Sequence, residues 1–328
     1  MVAHLGSELV RHALITGAAG MLGRKLAARL TDIDEVLLHD IVEPSAAPHS
    51  AYQSSSAASD LSSPGEAQKL LARRPELIFH LAAIVSGEAE ADFDKGYRVN
   101  LDGTRRLFEA IRAIGDGYQP RVVFASSIAV FGAPFPDAIG DEFLCAPLTS
   151  YGTQKAIDEL LLADYSRRGF FDGVGIRLPT ICVRPGKPNR AASGFFSGII
   201  REPLAGEEAL LPVAKSVRHW FASPRAGVGF LLHAARLDTA PLGARRNLTM
   251  PGISATVGEQ IEALRRVAGD AAARLIREQP DPVIQKIVEG WPRNFDARRA
   301  AALGFRADAS FDDIIRAHIE DELRPQPR

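Results

Sequence analysis

A doubly wound α/β fold, a parallel sheet with a smaller C-terminal lobe, is what this 328-residue sequence predicts. Three observations predict it. Compact apolar runs of strand length recur: HALIT at 12–16, EVLLHD at 35–40, LIFHLAA at 77–83, RVVFASS at 121–127 and GVGIRLP at 173–179. Amphipathic stretches of helix length separate them, and a glycine-rich turn joins the first run to the first helix. Strands covered on both faces read as continuous apolar runs, because neither side meets water.

Taken in order, HALIT, GAAGMLGRKLAARL and EVLLHD read as strand, turn and helix, strand: a βαβ unit. Ser63-Pro-Gly-Glu66 predicts a capping box that opens a helix running through Leu71. Leu101, Leu107, Phe108 and Ile111 recur at helical spacing ahead of RVVFASS. In SYGTQKAIDELLLADYSRRG, a cap at Thr149 or Ser150, an apolar stripe of Ile157, Leu160 and Leu161, and a basic end at Arg167 and Arg168 predict one helix of about five turns. After GVGIRLP the texture changes, and CVRPGKPNRAASG at 182–194 is rich in Pro, Gly and basic residues. We therefore divide the chain into a dinucleotide-binding domain at 1–181, carrying the catalytic residues, and a mainly substrate-binding lobe at 182–328. Some segments of that lobe are expected to return to the first domain. The Ala/Ser-rich piece at 46–59 reads as low complexity, and no internal repeat is seen.

Composition narrows the function. Apolar residues at 46% and charged residues at 24% are ordinary globular values. The net charge of −1 leaves no basic excess to neutralise phosphates, so nucleic acid is not an expected partner. Cys145 and Cys182 are the only cysteines, their spacing fits no metal cluster, and a reducing cytosol is expected. No uncharged apolar segment approaches 18 residues and the first residues lack a signal-peptide run, so we expect a cytoplasmic protein with no membrane contact and no metal.

Gly17, Gly20 and Gly23 fall between predicted strand and helix, where backbone N–H groups can reach a diphosphate and the helix N-terminus faces the anion. A close-packed turn is the plainer alternative. Asp40 ends the second strand, where a carboxylate accepts ribose hydroxyls and repels a 2′-phosphate, which predicts NAD over NADP. Arg24, beside the turn, is the counterweight. Tyr151 and Lys155 stand at i and i+4 on one helix face. A cation near a phenol favours phenolate, giving a general base for an alcohol proton. Ser126 and Ser127 leave the strand at 121–127, where ligands bind in open sheets, and offer a hydroxyl to the substrate oxygen.

TGAAGMLG at 16–23, the strand-end Asp40, Asp60-Leu61, HLAA at 80–83, ASSIAVFG at 125–132, YGTQK at 151–155 and LGF at 303–305 together resemble the extended short-chain dehydrogenase/reductases. The resemblance implies a Rossmann domain, NAD as cofactor, and a catalytic set of Ser127, Tyr151 and Lys155. Ser127 matches the last serine of the family's SSSxxVYG pattern, and Ser126 is its neighbour, a second substrate contact. Ala125 stands at that pattern's first serine and Phe131 at its tyrosine, and neither departure removes a catalytic group. Around the cofactor the resemblance places Met21 and Leu22 with the glycines, Asp60 and Leu61 at adenine, and Leu81, Ala82 and Ala83 along the nucleotide. Asn100 supports the site, and Leu178 and Pro179 border the nicotinamide. Asp60 and Asn100 have an equal alternative as cap or turn residues.

AAIVSGEAEADF at 82–93, the stretch 178–204 and VRHWFASPR at 217–225 are similar to members that oxidise a four-carbon sugar acid at C2, which implies a small sugar-acid substrate. For its carboxylate Arg218 is the first candidate, against an ordinary surface ion pair. Ser86 is a further donor, with turn chemistry as its alternative. Lys187 and Arg190 are either substrate contacts or solvated loop charges, and His219 and Trp220 either wall the pocket or pack. A nucleotide-sugar epimerase or dehydratase is the second reading, and a regulator that binds dinucleotide without turnover is the third. By resemblance, helices around 101–113 and 150–167 pair across a two-fold axis in a homodimer.

Overall fold

The computed structural model describes residues 10–47, 50–186 and 193–324. Lys187 and Arg190 lie outside the described residues. The chain divides into two compact units: residues 1–130, 149–177 and 228–249 form the first, and 131–148, 178–227 and 250–328 the second.

The first unit opens with β1 (Val10–Thr16), α1 (Met21–Ala27) and β2 (Ile33–Asp40). Then come β3 (Gln53–Ala58), α2 (Glu66–Leu70), β4 (Leu77–His80), α3 (Ser86–Ala91) and α4 (Phe93–Gly96). A π-helical turn at Tyr97–Asp102 leads into α5 (Gly103–Ile114), followed by β5 (Arg121–Ser127), α6 (Ser150–Arg167) and β6 (Asp172–Leu178). With a strand at Asn247–Thr249 these make a seven-stranded sheet in the order Asn247–Thr249, β6, β5, β4, β1, β2, β3. Every pairing whose register is recorded is parallel, and β1 lies between β2 and β4 with Leu14 opposite Leu37 and Ile78. The chain thus reverses its direction of winding at β1, and the C-terminal ends of β1, β4 and β5 open on one edge, where ligands of doubly wound sheets sit. Leu14, Ile78, Val122 and Phe124 of the sheet pack with Leu107, Phe108 and Ile111 of α5 and Leu162 of α6 in one buried cluster.

Several local expectations are corrected. The 46–59 piece contains β3, an edge strand whose QSSSAA side chains are almost all exposed, so it carries no apolar signal. The Ser63–Glu66 capping box does not form: Gly65, at φ +83°, caps α2 with no side-chain bond. In α6, Leu160 is 73% exposed. The buried face instead carries Gln154, Lys155, Asp158, Glu159 and Leu162, while Thr149 caps the helix by accepting from Gly152 N.

The second unit holds a three-stranded sheet in the order Ile253–Thr256, Arg218–Ala222, Thr180–Ile181, and a parallel pair of Ala209–Leu211 with Ile276–Glu278. Its core gathers Phe196, Ile199, Ile200, Phe221, Leu264 and Ile314. The helix at Val257–Ala273 starts on a capping box of Thr256 and Glu259. The division at 181/182 is therefore corrected: residues 131–148 already belong to the second unit, which takes up the chain again at 178.

Candidate active site

At each of its three glycines the turn is packed against backbone, leaving little or no room for a side chain. Gly17 has φ +77°, and a Cβ there would stand 2.7 Å from Ala82 N and from the Leu81 carbonyl carbon. A Cβ on Gly23 would meet Gly17 O at 2.3 Å, and one on Gly20 the same oxygen at 3.2 Å. The turn thus rests against the Leu81–Ala82 segment and leads directly into Met21 and Leu22, the first residues of α1. Asp40 closes β2, half-buried, its Oδ2 accepting from Ala19 N at 2.9 Å and its Oδ1 from Ile41 N at 2.7 Å. A turn whose three glycines are packed against backbone, beside a strand-end carboxylate, suits a diphosphate and a ribose diol.

Around the turn the remaining cofactor positions divide. Asp60 takes Ser62 N at 2.9 Å and Ser62 Oγ at 2.6 Å on one oxygen and pairs with Arg98 through the other. Leu61 is buried in the core of the unit. Asn100, also buried, clamps the backbone past β4: its Oδ1 accepts from Ile84 N at 2.9 Å, and its Nδ2 donates to Ile84 O at 3.2 Å and Gln154 Oε1 at 2.7 Å. Ala83 follows Ala82 on that segment, half-buried, and Ser86 starts α3. Leu178, the last residue of β6, and Pro179 fall in the second unit.

Ser127, Tyr151 and Lys155 come together in the first unit. A side-chain hydrogen bond joins the Ser127 hydroxyl to the Tyr151 phenol, and Ser127 Oγ also accepts from Ala129 N at 3.1 Å. The Lys155 ammonium lies 4.5 Å from the centre of the Phe124 ring and 6.0 Å from that of Tyr151. Burial pushes the phenol up to about 12, against the lowering bond from Ser127, and pushes Lys155 down to about 8. The free protein therefore carries a neutral phenol at Tyr151, and phenolate chemistry needs additional positive charge.

Ser126 departs from the expectation of a substrate contact. It is 2% exposed, faces the interior and donates to Glu159 Oε1 at 2.5 Å, because alternate residues of a strand point to opposite faces. Arg218 starts a strand of the second unit and donates to Ser254 O at 3.1 Å while pairing with Glu259 at 3.1 Å. His219 is a packing residue. Its Nδ1–H donates to Pro292 O at 2.8 Å, which leaves Nε2 to accept from Thr180 Oγ1 at 2.7 Å, and burial lowers it to about 4. Trp220 is buried and donates to Met250 O at 3.2 Å. A cavity of about 610 Å³ lined by Phe143, Asp296, Arg298 and Arg299 lies in the second unit and includes none of the expected site residues.

A buried polar row behind the site went unread. Thr16 Oγ1 meets His80 Nδ1 at 2.7 Å, and His80 Nε2 meets Thr104 Oγ1 at 2.9 Å. Gln154, Asp158, Glu159 and Arg177 complete it. The signal was in the helix period: Tyr151, Lys155, Asp158 and Leu162 fall on one face, and three of the four are polar.

This cradle and side-chain set define an NAD-dependent Rossmann enzyme, and residues 13–223 match the model of the NAD dependent epimerase/dehydratase family. The chain belongs to that family, and its cofactor is NAD. It is 48% identical to the D-erythronate dehydrogenase of Cupriavidus necator, over 94% of this chain and 98% of that one. It is 42% identical to the D-erythronate dehydrogenase of Haemophilus influenzae, over 94% and 99%. Among solved structures it resembles the nucleoside-diphosphate-sugar epimerase of Agrobacterium tumefaciens, with TM-score 0.94 and 61% identity over 98% of each chain. The L-threonine dehydrogenase of Clostridium difficile, at 21% identity and TM-score 0.83 over 95% and 97%, shares the fold. Among the described residues no helix is long and apolar enough to cross a membrane, and no group of three His, Cys, Asp or Glu residues is placed to hold a metal ion.

Proposed function

We propose that this chain is an NAD-dependent dehydrogenase that oxidises D-erythronate at C2 to 2-dehydro-D-erythronate, in the cytoplasmic catabolism of sugar acids. The likeness to two D-erythronate dehydrogenases along nearly their whole length carries the reading. When bound, NAD supplies the hydride acceptor. Tyr151 takes the C2 hydroxyl proton, Ser127 steadies the oxygen that loses it, and Lys155 favours the tyrosinate. The phenol, raised by burial, needs the positive charge of Lys155 and of the oxidised cofactor to act near neutral pH. Met21, Leu22, Leu81, Ala82 and Ala83 line the cofactor beside the glycines and Asp40. Asp60 and Leu61 serve the adenine end, and Leu178 and Pro179 the nicotinamide end. The acid's carboxylate falls to Arg218, which must give up Glu259 to hold it, with Ser86 as a second donor. The enzyme acts as a homodimer paired through the helices at 101–113 and 150–167.

The Agrobacterium structure favours a second reading, epimerisation of a nucleotide sugar. Absorbance at 340 nm separates the two. NADH formed with D-erythronate and not with UDP-sugars supports oxidation, whereas UDP-sugar interconversion without net NADH refutes it. Tyr151→Phe should lower kcat by at least ~10²-fold, the usual contribution of a general base. Near-normal turnover in that variant would remove Tyr151 from the role.

A further inference from the structure

Two carboxylates stand side by side on the buried face of α6, and their surroundings differ. Glu159 is committed. Arg177 Nε reaches its oxygens at 2.9 and 3.1 Å, Arg177 Nη2 adds a bond of 2.7 Å, and Ser126 donates at 2.5 Å. Asp158 is fully buried, yet its Oδ1 has no hydrogen-bond partner among the described residues, and its Oδ2 lies 3.4 Å from Thr104 Oγ1. The single proton of that hydroxyl is drawn to the Asn100 carbonyl at 2.5 Å, so the carboxylate keeps a weak share of it. His80, on the far side of Thr104, supplies no cation, because burial lowers its imidazole to about 3. A buried carboxylate with so few donors needs a counter-charge. Lys155 lies one turn earlier on the same face, itself 2% exposed, and each group acts electrostatically on the other.

We propose that Asp158 is a positioning residue for the reaction: its carboxylate is the counter-charge that keeps the Lys155 ammonium protonated and directed at Tyr151. This rests on reading Tyr151 as the base. The groups facing the pair are Tyr151 and Glu159 from α6, Thr104 from α5, His80 from β4 and, through Glu159, Arg177 from β6. Burial drives Lys155 down and Asp158 up, and each charge opposes the loss of the other. Without Asp158, the raising charge left to Lys155 among the described residues is Glu159, which Arg177 and Ser126 already share. Its proton then leaves at a lower pH. A phenol deprived of a neighbouring cation ionises at a higher pH, whereas loss of the Asp158 charge, which itself raises Tyr151, acts in the opposite sense, so the lysine titration is the decisive reading.

The test is Asp158→Asn, which preserves shape and removes charge. In the free protein, ¹³C NMR of the Lys155 Cε should report a titration lowered by about one to three units, the range for an opposite charge at close approach. In turnover, the loss should fall on kcat while KM for the sugar acid stays near the wild-type value. An unchanged Lys155 titration overturns the proposal, whatever happens to activity. Should the variant fail to fold, the wild type decides: the Asp158 carboxyl and the Lys155 Cε share titration steps if the pair is coupled, and independent steps overturn it. Absence of NADH formation from any sugar acid, with the lysine shift present, would defeat the functional reading and leave this one standing.

Discussion

A methyl group on Gly17 has no room. The residue sits at φ +77°, and its Cβ would press on backbone atoms of Leu81 and Ala82 that no rotamer change can move. Gly17→Ala therefore carries two penalties, about 1–2 kcal/mol for a left-handed residue with a Cβ and a further cost from displaced backbone. Calorimetry should show a lower Tm, and fluorescence titration should show NAD affinity weakened by more than the stability loss explains, since the same displacement deforms the phosphate cradle. Unaltered NAD affinity in a folded Gly17→Ala protein would place the diphosphate elsewhere. Asp40 behaves differently at this scale. Both of its oxygens accept backbone N–H groups, so the carboxylate is already oriented in the free protein.

On α6 the helix carries its polar residues inward. Leu162, wholly buried among Phe108, Phe124 and Phe171, is the core residue, and Leu162→Ala should cost about 2–5 kcal/mol in urea unfolding. Leu160 is 73% exposed, and Leu160→Asp should leave the protomer folded and, in the homodimer proposed above, shift sedimentation toward monomer. A large loss of protomer stability at Leu160 and none at Leu162 would reverse this assignment of faces. The first βαβ unit was legible because Ala13–Ile15 and Val36–Leu38 are apolar runs that bracket a glycine turn. The spacing of Tyr151 and Lys155 placed them on one face of a helix, which α6 provides, but their role was read only with the serines at the end of β5 and the family resemblance. The edge strand β3 was not, since a strand exposed along its length needs no apolar side chains and QSSSAA has none of size. The inward polar face of α6 escaped for the opposite reason: Leu160 and Leu161 suggested a core stripe, whereas the buried face carries Lys155, Asp158 and Glu159.

For the molecule as a whole, cofactor binding and stability are one linked equilibrium. NAD at a hundred times its Kd should add about 2.7 kcal/mol to unfolding, and NADP at the same concentration should add much less, because Asp40 repels the 2′-phosphate. Thermal shift with each cofactor measures this directly, and equal stabilisation would deny Asp40 its discriminating role. The order of segments along the chain matters as well. The polypeptide passes from one unit to the other after residues 130, 148, 177, 227 and 249. The parallel sheet gains its edge strand Asn247–Thr249 only after residues 131–148 and 178–227 of the second unit have been synthesised. On the ribosome, then, the first unit cannot close until two segments of the second have emerged, and a gene severed at any one of these points divides the core of at least one unit.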